Sequence, residues 1–134
     1  VAVAEASGVV DGYVCGNTSS NREFPGYTMG TGQKELAAIG DGGLSGRPIR
    51  GAARELVRDV FRYTGGRKPV IGCGGVFTAD DAWDMIVSGA SAVQLLTGMI
   101  YEGPGIAHHI KRGLVRKLDE HGIETIRDAV GIDA

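Results

Sequence analysis

Cysteine is scarce in this sequence. Cys15 and Cys73 are far apart and show no C-x-x-C spacing, which argues for reduced thiols in an intracellular protein rather than a disulfide framework. No apolar run is long enough to span a bilayer. The N-terminus lacks the basic, then apolar, then small-residue order of a signal peptide. Charge of one sign is lacking too: a formal net charge of -2 gives no electrostatic case for nucleic acid or an anionic membrane surface. Metal-ligating spacing is also missing. His108 and His109 are neighbours and diverge on a helix, and His121 lies near a helix end, where a charge-complementing residue is common.

What remains is 134 residues with 43% hydrophobic content, enough for one domain with a core. Glycine is abundant, with 23 residues, more than twice the usual share of about 7%. These glycines fall at the ends of apolar segments. Such placement suits tight turns or close approach of backbone to a ligand.

Three apolar segments predict strands: "GVVDGYVCG" (8–16), "PVIGCGG" (69–75) and "SAVQLLTG" (91–98). They resemble strands buried on both faces of a parallel sheet. Within the third, Gln94 needs a partner if it is buried. The opening "VAVAEASGV" looks like the tail of a helix running into a strand, as in a piece of a larger protein.

Helical periodicity places Ile49, Ala53, Leu56, Val57, Val60 and Phe61 on one face, with Pro48 and Gly65 as punctuation. "TADDAWDMIVSG" starts with Thr78 as an N-cap, with Asp81 as the capping-box acid and Gly89 as the C-terminal cap. Trp83 is expected to pack that helix on a neighbour. Ile106, Ile110, Leu114 and Leu118 share a face of a further helix that Gly122 stops, and "ETIRDAVG" predicts a short last one. Arg50, Arg54, Arg58 and Arg62 form a row at i+4 spacing, interleaved with Glu55 and Asp59, which suggests a solvated face.

The order β-α-β-α-β-α implies parallel strands joined by helices. An open doubly wound sheet and a portion of a (β/α)8 barrel both fit, and three strands cannot close a barrel. The stretch between Asn17 and Arg47 has little periodic pattern and is longer than structureless loops usually are. It predicts a functional connection, ordered in part by a ligand or by the rest of the protein.

"IGCGGV" fails the dinucleotide fingerprint G-x-G-x-x-G, because Phe77 stands where the third glycine belongs. A barrel reading does better. Two successive strands end in glycine, "IGCGG" and "LLTG", and backbone amides there can reach phosphate oxygens, with Thr97 adding a hydroxyl. One such loop would be explained by a tight turn; the pair favours a phosphate site. "GNTSSN" follows the first strand, and Asn17 can pair with an amide or imide edge, although Asn, Ser and Thr are also ordinary turn formers. In "GDGGLSGRP" the glycines suit close backbone approach, and Ser45 suits an N-cap.

Taken together, "DGYVCGNTSS", "GGLSGRPI", "KPVIGCGGV" and "GASAVQLLTGMIYEGP" resemble the C-terminal part of the dihydroorotate dehydrogenase family, across nearly the whole chain. "GGLSGRP" and "YEGP" are similar to its quinone-dependent, membrane-associated class. The resemblance implies an α/β fold, the C-terminal portion (about strands 6–8) of a (β/α)8 TIM barrel, with residues 1–134 forming part of a single FMN-binding domain. It implies oxidation of dihydroorotate to orotate in pyrimidine synthesis, with electrons passing through FMN to a quinone. Asn17 and Thr18 match the family's substrate pair. Gly16, Gly46, Gly75, Leu96 and Thr97 match positions that contact FMN, Leu96 departing from a common tyrosine.

The family's catalytic serine, its flavin-contacting lysine and its membrane-meeting helical region match nothing in this chain. Ser19, Ser20 and Ser45 do not correspond to the base. No catalytic base is therefore assigned here, and the fragment alone is expected not to turn over substrate. The resemblance implies an intracellular parent, peripheral on a bacterial plasma membrane or mitochondrial inner membrane, with no metal and no nucleic-acid partner. Competing readings are another phosphate-binding barrel enzyme and a non-catalytic barrel fragment.

Overall fold

The computed structural model describes residues 1–24, 30 and 32–134. "PGYTM" (25–29) and Thr31, part of the long connection expected to be functional, lie outside the described residues.

Helix α1 (Ala2–Ser7) ends at Gly8 in the left-handed conformation and leads into strand β1 (Tyr13–Cys15). A short helix α2 (Gln33–Ile39) lies in the long connection. A 3-10 turn (Arg47–Ile49) then runs directly into helix α3 (Arg50–Thr64). Strand β2 (Val70–Cys73), helix α4 (Ala79–Val87), strand β3 (Ala92–Gln94), helix α5 (Thr97–Glu102), helix α6 (Ile106–His121) and helix α7 (Ile126–Ala129) follow.

Among the described residues the strands form one sheet in the order β1-β2-β3. Both pairings are parallel: Tyr13 lies beside Val70, Cys15 beside Gly72, and Gly72 beside Val93. The expected α/β class with a parallel sheet is what the chain adopts.

One sheet face carries Cys15, Val70 and Gly72, which are buried beneath the helices. Gly72 marks the tightest contact. A Cβ there would lie 3.2 Å from Met85 Sδ, 3.2 Å from Val57 Cγ2 and 3.3 Å from Ala90 Cβ, so α3 and α4 close over a strand with no side chain at that position. Val57, Val60, Val70, Val76, Met85, Ile106 and Ile110 form the main core, each such burial worth about 1.5–3 kcal/mol. A second cluster gathers Trp83, Ile86, Val87 and Ala129, with Leu114 and Leu118 against it. Trp83 thus packs its helix on a neighbour as expected, its ring 4.8 Å from that of His121.

The other sheet face is exposed in this chain. Val14 is 60% exposed, and Ala92 and Gln94 are exposed too. The apolar runs overstated the strands. The third stops at Gln94, and Thr97 and Gly98 belong to α5.

Capping follows the sequence at some ends and departs from it at others. Thr78 Oγ1 accepts from Asp81 N–H, and Asp81 answers from its carboxylate, completing the capping box. Gly65 and Gly122 are left-handed C-caps. Ser88, not Gly89, caps α4; Gly89 is needed because a Cβ would lie 2.3 Å from Phe61 Cγ. The residue before the 3-10 turn is Gly46, with no side-chain cap, so Ser45 is not an N-cap.

The arginine row is only partly a solvated face. Arg50 pairs with Asp81, Arg54 with Asp84, and Arg58 donates to Ser88 Oγ. The i+4 spacing that aligns three of these arginines on α3 faces a comparable row of acceptors along α4.

Candidate functional site

The C-terminal ends of the three strands meet at a cleft of about 160 Å³. Asn17 and Thr18 follow β1. Cys73, Gly74, Gly75, Val76 and Phe77 lie at and beyond the end of β2. Leu95, Leu96, Thr97 and Gly98 follow β3, and Ser45, Gly46 and Ile49 approach from the segment before α3. Of the seven residues singled out from the sequence, Asn17, Thr18, Gly46, Gly75, Leu96 and Thr97 share this cleft. Gly16 lines the adjoining one with Asn17 and Thr18.

Local geometry explains the convergence. Ser19 and Leu44 exchange backbone hydrogen bonds of 2.9 and 2.7 Å, an isolated antiparallel bridge. This bridge brings the loop after β1 to the segment before α3. Gly43 makes the approach possible, because a Cβ there would lie 2.3 Å from Thr18 Oγ1. Asn17 Oδ1 accepts from Thr18 N–H at 2.8 Å, fixing the turn. Thr97 Oγ1 donates to Ser45 Oγ at 3.0 Å, tying the start of α5 to the same segment.

The glycines allow backbone segments to approach one another closely. A Cβ at Gly16 would lie 1.8 Å from Cys73 O. At Gly75 it would lie 2.4 Å from Arg50 Cβ, and at Gly98 2.4 Å from Val76 O. The walls of the cleft are pressed together where these side chains are missing. Gly16, Gly46, Gly74 and Gly75 also have positive φ values of 111°, 83°, 129° and 74°, conformations that other residues adopt only at a cost.

The cleft wall carries no ionised side chain among its described residues. Its polar groups are hydroxyls and amides, and Ile49, Val76, Leu95 and Leu96 make it largely apolar. Such a lining suits a planar ring on the apolar wall and an anion held by neutral donors. Arg47 stands at the rim, its guanidinium 4.5 Å above the Phe77 ring. Cys73 faces the cleft, whereas Cys15 is buried, and burial pushes its thiol up from the usual range. Behind the cleft lies Asp81, 3% exposed. Burial by itself raises its pKa, but hydrogen bonds from Arg50, Phe77 N–H and Thr78 outweigh this and hold the carboxyl below its usual range. The sequence marks Asp81 only as part of a helix cap; its partner Arg50 is 31 residues away, beyond the reach of any local signal. Among the described residues no group of three His, Cys, Asp or Glu side chains could hold a metal ion. No helix there is long and apolar enough to cross a membrane.

A parallel α/β unit that gathers strand-end glycines and hydroxyls around an apolar cleft defines an α/β protein with a candidate ligand site at its strand ends. Residues 1–118 match the family profile described as dihydroorotate dehydrogenase, and the chain belongs to that family. It is 41% identical over 125 residues to a dihydroorotate dehydrogenase (quinone) of Trichodesmium erythraeum, covering 92% of this chain and 32% of the relative. It is 46% identical over 125 residues to one of Deinococcus deserti, covering 93% and 32%. A ligand-free dihydroorotate dehydrogenase structure from Eimeria tenella superposes with a TM-score of 0.85 at 36% identity, covering 98% of this chain and 34% of that one. The chain therefore spans about a third of the length of the relatives it matches.

Proposed function

We propose that this chain is the C-terminal portion, about strands 6–8, of a single (β/α)8 barrel domain. We further propose that its parent oxidises dihydroorotate to orotate in pyrimidine synthesis and passes the electrons to a quinone. The observation that carries this reading is the convergence of Asn17, Thr18, Gly46, Gly75, Leu96 and Thr97 on one cleft, from four separate stretches of sequence.

The donor set fits FMN. The Ser45 hydroxyl, oriented by the bond it accepts from Thr97 Oγ1, and the strand-end amides offer neutral donors for its phosphate, while Leu95 and Leu96 offer an apolar wall for its ring. Gly16, Gly46, Gly75, Leu96 and Thr97 are the residues assigned to it. The cleft volume of about 160 Å³ is below the ~300–1,000 Å³ of a complete small-molecule site, which agrees with a cradle completed by other parts of the parent. When bound, FMN supplies the acceptor for the hydride that leaves dihydroorotate.

Asn17 and Thr18 are assigned to the substrate. Asn17, with its carbonyl oxygen turned to Thr18 N–H, has amide donors to present to a carbonyl or carboxylate. No residue here is given the role of catalytic base, and the isolated chain is expected to be inactive. The quinone is assigned to regions of the parent outside these residues, and the parent to a peripheral place on a bacterial plasma membrane or mitochondrial inner membrane.

The test is to purify the full-length parent and record its visible spectrum. A bound flavin band that dihydroorotate bleaches is the expected result. A colourless protein that cannot be reconstituted with FMN overturns the reading.

A further inference from the structure

We propose that Arg50 and Asp81 are a positioning pair for the cofactor cleft: one ion pair, lying behind the wall, sets the spacing between the loop after β2 and the start of α3. The inference rests on the flavin reading given above and deepens it.

Neither residue lines the cleft. Asp81 instead gathers the elements that do. Its Oδ2 accepts from Phe77 N–H at 3.0 Å and Thr78 N–H at 2.9 Å, and its Oδ1 accepts from Arg50 Nη1 at 2.5 Å. One buried carboxylate thus holds the end of the 74–78 loop and the first residue of α3 together. Arg50 meets that loop a second time. Its backbone N and Cα lie 2.9 and 2.6 Å from where a Gly75 Cβ would stand, so its main chain supports the loop from one side while its side chain reaches past to Asp81. Gly46 and Ile49, just before Arg50, line the same cleft.

The neighbouring pair supplies a contrast. Arg54 and Asp84 lie about one turn further along the same two helices at 3.3 Å, with side chains 41% and 48% exposed. They join α3 to α4 and lie outside the cleft lining. If the first pair merely fastened helices, the two would act alike. The Arg50 side chain is 51% exposed, but the Asp81 side chain is 4% exposed, and loss of Arg50 leaves that carboxylate with backbone amides as its remaining donors, so the loop must shift or admit water.

The experiment compares Arg50→Gln, Arg50→Lys, Asp81→Asn and Arg54→Gln in the full-length parent. Amide hydrogen exchange at Phe77 and Thr78 is followed in the apoprotein. FMN release is followed by recovery of free-flavin fluorescence, and melting temperature is recorded alongside. Arg50→Gln is expected to speed exchange at both amides and raise the FMN release rate roughly tenfold, as for residues within one charged network. Arg50→Lys is expected to recover part of both effects. Arg54→Gln is expected to lower the melting temperature while leaving both unchanged. Asp81→Asn is expected to repeat Arg50→Gln; should it fail to fold, the arginine variants decide the matter. Unchanged exchange at Phe77 and Thr78 in Arg50→Gln overturns the inference, as does an equal effect of Arg54→Gln on FMN release. A wild-type parent that binds no flavin fails the functional reading instead, and the exchange measurement then still tests the pair.

Discussion

Thr97 Oγ1 donates a 3.0 Å hydrogen bond to Ser45 Oγ, joining residues 52 positions apart. The bond links the start of α5 to the segment before α3 within the cleft lining. Thr97 also packs its methyl near Gly46, where a Cβ would lie 3.1 Å from Thr97 Cγ2. Its hydroxyl and its methyl therefore serve separable ends. Thr97→Val keeps the shape and removes the donor, so FMN affinity in the parent is expected to fall about tenfold, with about 1 kcal/mol of stability lost. Thr97→Ser keeps the donor and is expected to bind within a few-fold of wild type. Fluorescence titration of the two variants decides; a greater loss in Thr97→Ser would assign the role to packing.

The glycines separate into those that need only their backbone conformation and those that also need the space. Gly8 has φ 67° and nothing within 4 Å of where a Cβ would stand, whereas Gly75 has φ 74° with Arg50 2.4 Å away. Gly8→Ala is expected to cost about 1–2 kcal/mol for the left-handed backbone. Gly75→Ala and Gly16→Ala add overlap with main-chain atoms that cannot swing aside, so each is expected to cost more than ~4 kcal/mol. Denaturant titration of the parent measures the difference. A Gly75→Ala protein as stable as Gly8→Ala would mean that Arg50 has room to retreat.

These residues also show where the sequence can be read and where it cannot. Helices α3, α4 and α6 are legible because their apolar spacing and their caps at Gly65, Thr78 and Gly122 are local signals. Helix α5 is hidden because "LLTG" continues an apolar strand without a break. Helix α2 has helix formers and a stop at Gly40, but it is short and surrounded by glycine-rich sequence. In the sequence Glu55 and Asp59 balance the arginine row on its own helix; its actual partners on α4 and at its C-cap lie 30 or 31 residues away. Motifs mark six of the positions that line the cleft, whereas the bridge between Ser19 and Leu44 that assembles them is a single residue pair with no periodic signature. The glycines are legible as unusual, but their reason lies in neighbouring walls that only the fold brings together.

Away from the cleft, Glu5 is a pH-sensitive clasp between α1 and β1. Tyr13 Oη donates to Glu5 Oε1 at 2.6 Å, and Lys68 Nζ lies 3.1 Å from the same oxygen. The Tyr13 hydrogen bond, followed by that from Lys68, holds the Glu5 carboxyl below its usual 4.5. The Glu5 hydrogen bond pushes the Tyr13 phenol up from 10.0 to about 12. The depressed carboxyl contributes stability above its unfolded value and loses it as pH falls through the folded one. The raised phenol contributes stability below pH 10.0 and loses it as pH rises through about 12. The clasp is thus expected to be intact across neutral pH and to weaken on both sides. In an ultraviolet titration of phenolate formation, Tyr13→Phe is expected to remove the late-ionising tyrosine. If the late step survives in that variant, the clasp is not its origin.

Asn17 provides a separate test of the substrate assignment. Its Oδ1 already accepts from Thr18 N–H at 2.8 Å, so an acceptor at this position is needed to shape the turn. Asn17→Asp preserves that acceptor while removing the amide donors and adding negative charge. Dihydroorotate carries a carboxylate, and like charges brought together cost several kcal/mol. The expected outcome in the parent is a flavin spectrum and melting temperature near wild type, with KM for dihydroorotate raised at least about a hundredfold. Asn17→Ala, which loses both donor and acceptor without adding charge, is expected to raise KM by roughly tenfold and to lower stability by about 1 kcal/mol through the turn. Steady-state kinetics on the two variants distinguishes the roles. If Asn17→Asp keeps its KM and kcat while Asn17→Ala loses only stability, Asn17 shapes the turn and the substrate is held elsewhere.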